Sequence, residues 1–151
     1  MSVDRRGLFH RLAAAVGGVA AAAALSRTGR ADTPAPLKVV YHLADNEKVS
    51  FVLGNIRNHI DGVGGPDKVT IALVVHGGAL RAFHAAGAAG DVSARVADIA
   101  ASGVGLHACG NTMKAQNVTL AQLLPGFVVA DHGGVTRIAE LQSQGYLYIR
   151  P

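Results

Sequence analysis

From residue 37 onward the apolar positions fall into two kinds of block. Leu37 to Leu43, Val69 to Val75, Val104 to Ala108, Phe127 to Ala130 and Tyr146 to Ile149 are short apolar runs bounded by polar or turn residues. Such runs predict strands, the longer ones buried on both faces. Between them the apolar residues recur at helical spacing. Val49, Val52, Leu53, Ile56, Ile60 and Val63 predict one helix, opened by Asp45 as its cap and stopped by Gly62, Gly64, Gly65 and Pro66. Val92, Val96 and Ile99 predict a second, ended by Gly103, and Val135 to Gln142 a third, with Gly145 as its C-cap. Leu80 with Phe83, and Leu120, Leu123 and Leu124 ahead of Pro125, predict shorter helical turns. Strands alternating with helices leave little choice of architecture, because crossovers between parallel strands are right-handed and must cover the sheet. The prediction is an α/β fold: a three-layer sandwich around a mostly parallel five-stranded sheet.

Charge changes the picture only at the N-terminus. The 151 residues carry 14 Lys and Arg against 10 Asp and Glu. Arg5, Arg6, Arg11, Arg27 and Arg30 stand against Asp4 alone within residues 1–31, so the remainder is balanced. A balanced surface argues against nucleic acid as a partner, since that binding needs basic charge on the folded domain. Residues 1–31 have the form of an export signal: a short basic start, an apolar uncharged stretch from Leu12 to Leu25, and small residues at Gly29 and Ala31. Arg5-Arg6 followed by Leu8 and Phe9 is similar to a twin-arginine signal, which implies delivery to the periplasm. The apolar stretch is shorter than the about 20 residues of a span, so no stable membrane insertion of the mature chain is expected. Residues 32–36, with Pro34 and Pro36, are expected to form a flexible leader, and 37–151 a single domain.

In open parallel sheets, ligands bind beyond the carboxyl ends of the strands. There the sequence places His42 at the first strand, His76 at the second, His107 and Cys109 at the third and His132 after the fourth. Cys109 is the single cysteine, which excludes an intramolecular disulfide and any all-cysteine metal site within one chain. It stands where strand becomes helix. Gly110 permits close backbone approach there, and Asn111 or Thr112 can cap the turn that follows. Unpaired backbone N–H groups and a neighbouring imidazole would lower the thiol pKa and favour the nucleophilic thiolate. His107, two residues earlier on the same strand, shares a face with Cys109 and is the expected imidazole. His59 and His84 lie on or near helices and read as ordinary structural histidines.

The same residues admit a second chemistry, in which His42, His76, His107, His132 and Cys109 bind copper or zinc in a metal-binding or structural module. No His-x-x-x-His or Cys-x-x-Cys spacing supports it. The chain also lacks Gly-x-Gly-x-x-Gly, a Walker loop and Gly-x-Ser-x-Gly, which argues against dinucleotide binding, phosphate-loop chemistry and serine hydrolysis.

Cys109-Gly110-Asn111-Thr112-Met113 resembles the corresponding motif of the DsrE/DsrF-like family of small sulfur-relay proteins. Val39-Val40-Tyr41-His42, Val75-His76-Gly77, Leu123-Leu124-Pro125-Gly126 and the tail from Leu141 to Pro151 resemble its exported branch. The resemblance covers essentially all of residues 37–151. It implies an α/β domain assembling into homotrimers or homohexamers, with a cysteine that carries sulfur as a persulfide; on this reading no cofactor is expected. Cys109 matches that position. The function so implied is a carrier more than a turnover enzyme, its partners a sulfur donor and an acceptor protein or thiol.

Overall fold

The computed structural model describes residues 35–151, and the predicted signal peptide and most of the predicted leader lie outside them. Five strands form one sheet: β1 (Leu37–Leu43), β2 (Val69–Val75), β3 (Gly105–Cys109), β4 (Phe127–Ala130) and β5 (Leu147–Ile149). Their order is β4-β3-β2-β1-β5, and every pair is parallel, so the sheet is wholly and not merely mostly parallel. The four α-helices are α1 (Val49–Gly62), α2 (Gly90–Ala101), α3 (Gly110–Ala115) and α4 (Gly134–Ser143). The two weaker helical patterns appear as 3₁₀ turns, Gly77–Phe83 and Leu120–Gln122.

Connection handedness explains the layers. From β1 to β4 the chain steps one strand at a time toward one edge, so α1 and α2 pack on the same face. The connection from β4 to β5 runs back across the sheet to the opposite edge, and a right-handed crossover in that direction must lie on the other face. That is where α4 sits, its Ile138 and Leu141 clustered with Val40, Ala72 and Val74. The larger core joins Val39, Tyr41, Leu43, Ile71, Leu73 and Val75 to α1 and α2. Fully burying each such aliphatic side chain contributes about 1.5–3 kcal/mol. The two edge strands are the shortest, which limits the unpaired backbone offered to another sheet.

Two sequence expectations are corrected in detail. Asp45 precedes the first helical turn, but its side chain makes no cap hydrogen bond. Its carboxylate instead meets Arg150 at 3.3 Å, which ties the chain end to the β1 loop. Gly145 lies one position beyond the C-cap of α4, Gln144, and takes φ +89°, the left-handed conformation that releases the chain into β5.

Candidate functional site

Residues paired across a sheet share a face, and the register therefore decides which strand-end side chains meet. Val40 pairs with Tyr148 and Ala72, His42 with Val74, Val74 with His107, and Cys109 with Ala130. Val40, Ala72 and Val74 contact α4, so Tyr148, His42, His107 and Cys109 also point to the α4 face. His76 follows β2 two residues beyond Val74 and lies on the same side.

Cys109 is the last residue of β3 and the N-cap of α3, and it is buried. Its sulfur makes no conventional cap hydrogen bond. Burial pushes the thiol up. The Thr112 hydroxyl and the N–H groups of Thr112, Gly134 and Asn111 more than offset this by stabilising the thiolate, so the group titrates below its ordinary value. Thr112 is itself fixed, because its Oγ1 accepts the Gly77 N–H at 3.0 Å, and Gln116 Nε2 holds the Gly77 carbonyl at 2.8 Å. The Gln116 Oε1 is in turn 2.9 Å from His84 Nε2, which gives His84 a structural role. Two glycines let the start of α4 close over the sulfur. A Cβ on Gly134 would lie 3.3 Å from both Cys109 Cβ and His76 Cβ, and one on Gly133 only 2.8 Å from Asn111 Nδ2. Gly110 is equally crowded, 3.1 Å from the Ala130 carbonyl oxygen by the same measure.

The thiol opens into a small cavity of about 130 Å³ that His76, Asn111, His132 and Gly133 also line. Strand order brings a further group in behind it. His76 Nε2 meets His42 Nε2 at 2.5 Å, and His42 Nδ1 meets the Tyr148 hydroxyl at 2.6 Å. Burial lowers the pKa of both imidazoles. Each is lowered further by the Arg150 charge, and His42 also by His76. With both rings neutral, one of the two Nε2 atoms donates and the other accepts, and the chain of contacts runs from the half-exposed Tyr148 to His76 at the wall of the thiol cavity. Tyr148 is the member that the strand-end inventory missed. A tyrosine one residue before the end of a predicted strand was the available signal.

His107 is placed differently from the sequence expectation. Its Nε2 lies 3.3 Å from the position a Cβ on Gly105 would take, so the ring runs back along β3 into the space that glycine leaves, away from Cys109. The groups that lower the thiol pKa are Thr112, Gly134 and Asn111, with no imidazole among them. His107 lines a separate cavity with Arg137, and burial and the Arg137 charge lower its pKa. The structure thus brings Cys109, His76, Asn111, Thr112 and His132 together, sets His42 behind His76, and puts His107 next door. Among the described residues no group of three or more His, Cys, Asp or Glu side chains is arranged to hold a metal ion. His59 Nδ1 bonds the Tyr41 hydroxyl at 3.0 Å on the other face of the sheet.

A family model described as the DsrE/DsrF-like family matches residues 37–151. The chain belongs to this family. The DsrE/DsrF-like domain is also similar to a solved structure of a protein of unknown function, MTH1491 from Methanobacterium thermoautotrophicum. The TM-score is 0.67 and the identity 28%, over 76% of this chain and 99% of that one. The ychN protein from E. coli gives a TM-score of 0.59 at 12% identity, over 77% and 99% of the two chains, a likeness of fold alone. No curated protein matches the sequence.

Proposed function

We propose that this DsrE/DsrF-like protein is a periplasmic sulfur carrier that holds sulfur as a persulfide on Cys109. The observation that carries the proposal is the setting of the thiol: a single cysteine, stabilised as thiolate by one hydroxyl and three backbone N–H groups, facing a cavity of about 130 Å³. A nucleophile needs the thiolate, and a carrier needs little more than room for one additional sulfur atom.

The transfer balances without an external oxidant. The Cys109 thiolate attacks the outer sulfur of a donor persulfide, a bond forms from Sγ to that sulfur, and the donor leaves as its own thiolate. An acceptor thiolate then attacks the same outer sulfur, breaks its bond to Sγ and restores the Cys109 thiolate. Negative charge sits on the outer sulfur between the two steps. The cavity wall offers the Gly134 N–H and His76 to it. Burial protects the single thiol from disulfide capture in an oxidising compartment.

Incubation of the protein with a persulfide donor should add about 32 Da per sulfur atom, read by intact mass. The Cys109→Ser variant should take none. A wild-type protein that acquires no adduct while its thiol remains alkylatable would overturn the proposal.

A further inference from the structure

The thiol cavity limits what can reach the sulfur, first by size. Cys109 keeps only 6% of its surface exposed. On the α4 side the cavity is walled by main chain, since Gly133 and Gly134 approach Asn111, Cys109 and His76 more closely than a Cβ would allow. That wall is pinned: the Gly133 N–H donates to the Ala130 carbonyl at 2.9 Å, and the Gly133 carbonyl accepts the Arg137 N–H at 3.0 Å. A change of side-chain rotamer therefore does not open it. The volume of about 130 Å³ is below the about 150 Å³ that takes a benzene ring, and well below the about 300 Å³ at which sites for drug-sized ligands begin.

Charge is the second limit. The remaining lining side chains are His76, Asn111, His132, Val135 and Thr136, with no Lys, Arg, Asp or Glu among them. Burial and the Arg150 charge hold His76 below the ordinary histidine range. Both nearby guanidinium groups already have carboxylate partners. Arg150 meets Asp45 at 3.3 Å, and Arg137 in the adjoining cavity meets Glu140 at 3.1 Å with Asp131 lining the same space. A donor with its own carboxylates would bring them beside a thiolate with no free cation to meet them.

We propose that the donor loading Cys109 is a short inorganic polysulfide, with hydrogen disulfide the smallest, and not a persulfide carried on a peptide or protein. The inference rests on the sulfur-carrier function and names the chemical class of its donor. The Cys109 thiolate attacks one sulfur of hydrogen disulfide, and a bond forms from Sγ to it. The bond between the two donor sulfurs breaks, and its electron pair leaves on the other sulfur. That sulfur departs with the proton as hydrosulfide, and the outer sulfur on Cys109 remains anionic. One sulfane sulfur changes partners, and no oxidant or reductant is consumed.

Loading is followed at pH 8, above the ordinary histidine range, as a gain of about 32 Da per sulfur atom. Sodium disulfide is compared with glutathione persulfide, and each rate is divided by that of the same donor with the urea-unfolded chain, so that intrinsic reactivity cancels. The ratio for disulfide should exceed that for glutathione persulfide about tenfold, the scale of one like charge near the thiolate at a partly solvated site. Equal ratios would overturn the inference and leave the carrier standing. A protein that takes sulfur from neither donor fails as a carrier, and the inference falls with it.

Alkylation judges the cavity without any sulfur transfer. Relative to the unfolded chain, the folded protein should favour iodoacetamide about tenfold over iodoacetate, which adds a charge, and over iodoacetanilide, which adds a ring. Val135 lines the cavity, is 70% exposed, and allows the charge to be changed at a surface position. Val135→Lys should raise the iodoacetate and glutathione persulfide ratios several-fold toward those of the small uncharged and inorganic reagents, and leave the iodoacetanilide ratio low. Equal relative rates for the three alkylating reagents in the wild type, or an iodoacetate ratio that the lysine does not move, would overturn the inference.

Discussion

Replacing Thr112 by valine removes one hydroxyl from two tasks while keeping nearly the same shape. That hydroxyl helps to hold the Cys109 thiol below its ordinary pKa, against the opposing effect of burial, and its oxygen accepts the Gly77 N–H at 3.0 Å. A hydrogen bond to a charged group contributes about 1.5–3 kcal/mol, and the lower end is appropriate for a sulfur without conventional cap geometry. Losing about 1.5 kcal/mol lowers the thiolate population about tenfold at any pH well below the thiol pKa. Iodoacetamide alkylation, compared at a pH well below the midpoint of the wild-type profile, should therefore slow about tenfold in Thr112→Val and stay near the wild-type rate in Thr112→Ser. Stability should fall as well, because the half-buried Gly77 N–H loses its acceptor at a cost of about 1–2 kcal/mol. The two effects separate by pH. A depressed thiol pKa contributes stability that is fully present above the unfolded value near 8.5 and is lost as pH falls through the folded value. The deficit of the valine variant should therefore widen with rising pH up to about 8.5, while the Gly77 part stays constant. Coincident alkylation profiles for the wild type and a folded valine variant would refute the claim that the donors around the sulfur set its acidity.

Two other positions carry shorter predictions. The lowered pKa values of His42 and His76 mean that the unfolded chain binds protons first, so stability should decline as pH drops below about 6.5. Urea midpoints between pH 7 and pH 5 should fall less steeply for His76→Gln, and identical slopes would show that the pair is not the cause. Gly133 has φ +99°, and an added Cβ would sit 2.8 Å from Asn111 Nδ2, so Gly133→Ala should lose about 1–3 kcal/mol on chemical denaturation. A change of only a few tenths would mean that the loop relaxes freely.

How far the sequence reaches is visible in these same residues. The strands were legible because buried parallel strands are written as short apolar runs, and β2 is apolar at every position but Thr70. Cys109 was legible for a related reason, since a lone thiol at a strand-to-helix boundary is exposed to unpaired N–H groups wherever the strand lies in the sheet. Its neighbours depend on things that periodicity does not encode. That His76 faces the thiol cavity follows from β2 lying beside β3, and that Tyr148 reaches His42 follows from the last crossover returning to the β1 edge. Parity placed His107 on the same face as Cys109, and the register agrees. The direction of its ring was decided by Gly105, whose missing side chain gives the imidazole a place to lie away from the sulfur. The consequence is a division of labour. The Thr112 hydroxyl and the backbone donors prepare the thiol, His76 with His42 behind it borders the cavity, and His107, freed from the thiol, lines the adjoining space with Arg137. A His107→Ala variant distinguishes this arrangement from a thiol activated by its strand neighbour. With the donors intact, the pH profile of Cys109 alkylation should not move, and an upward move of its midpoint would return His107 to the thiol.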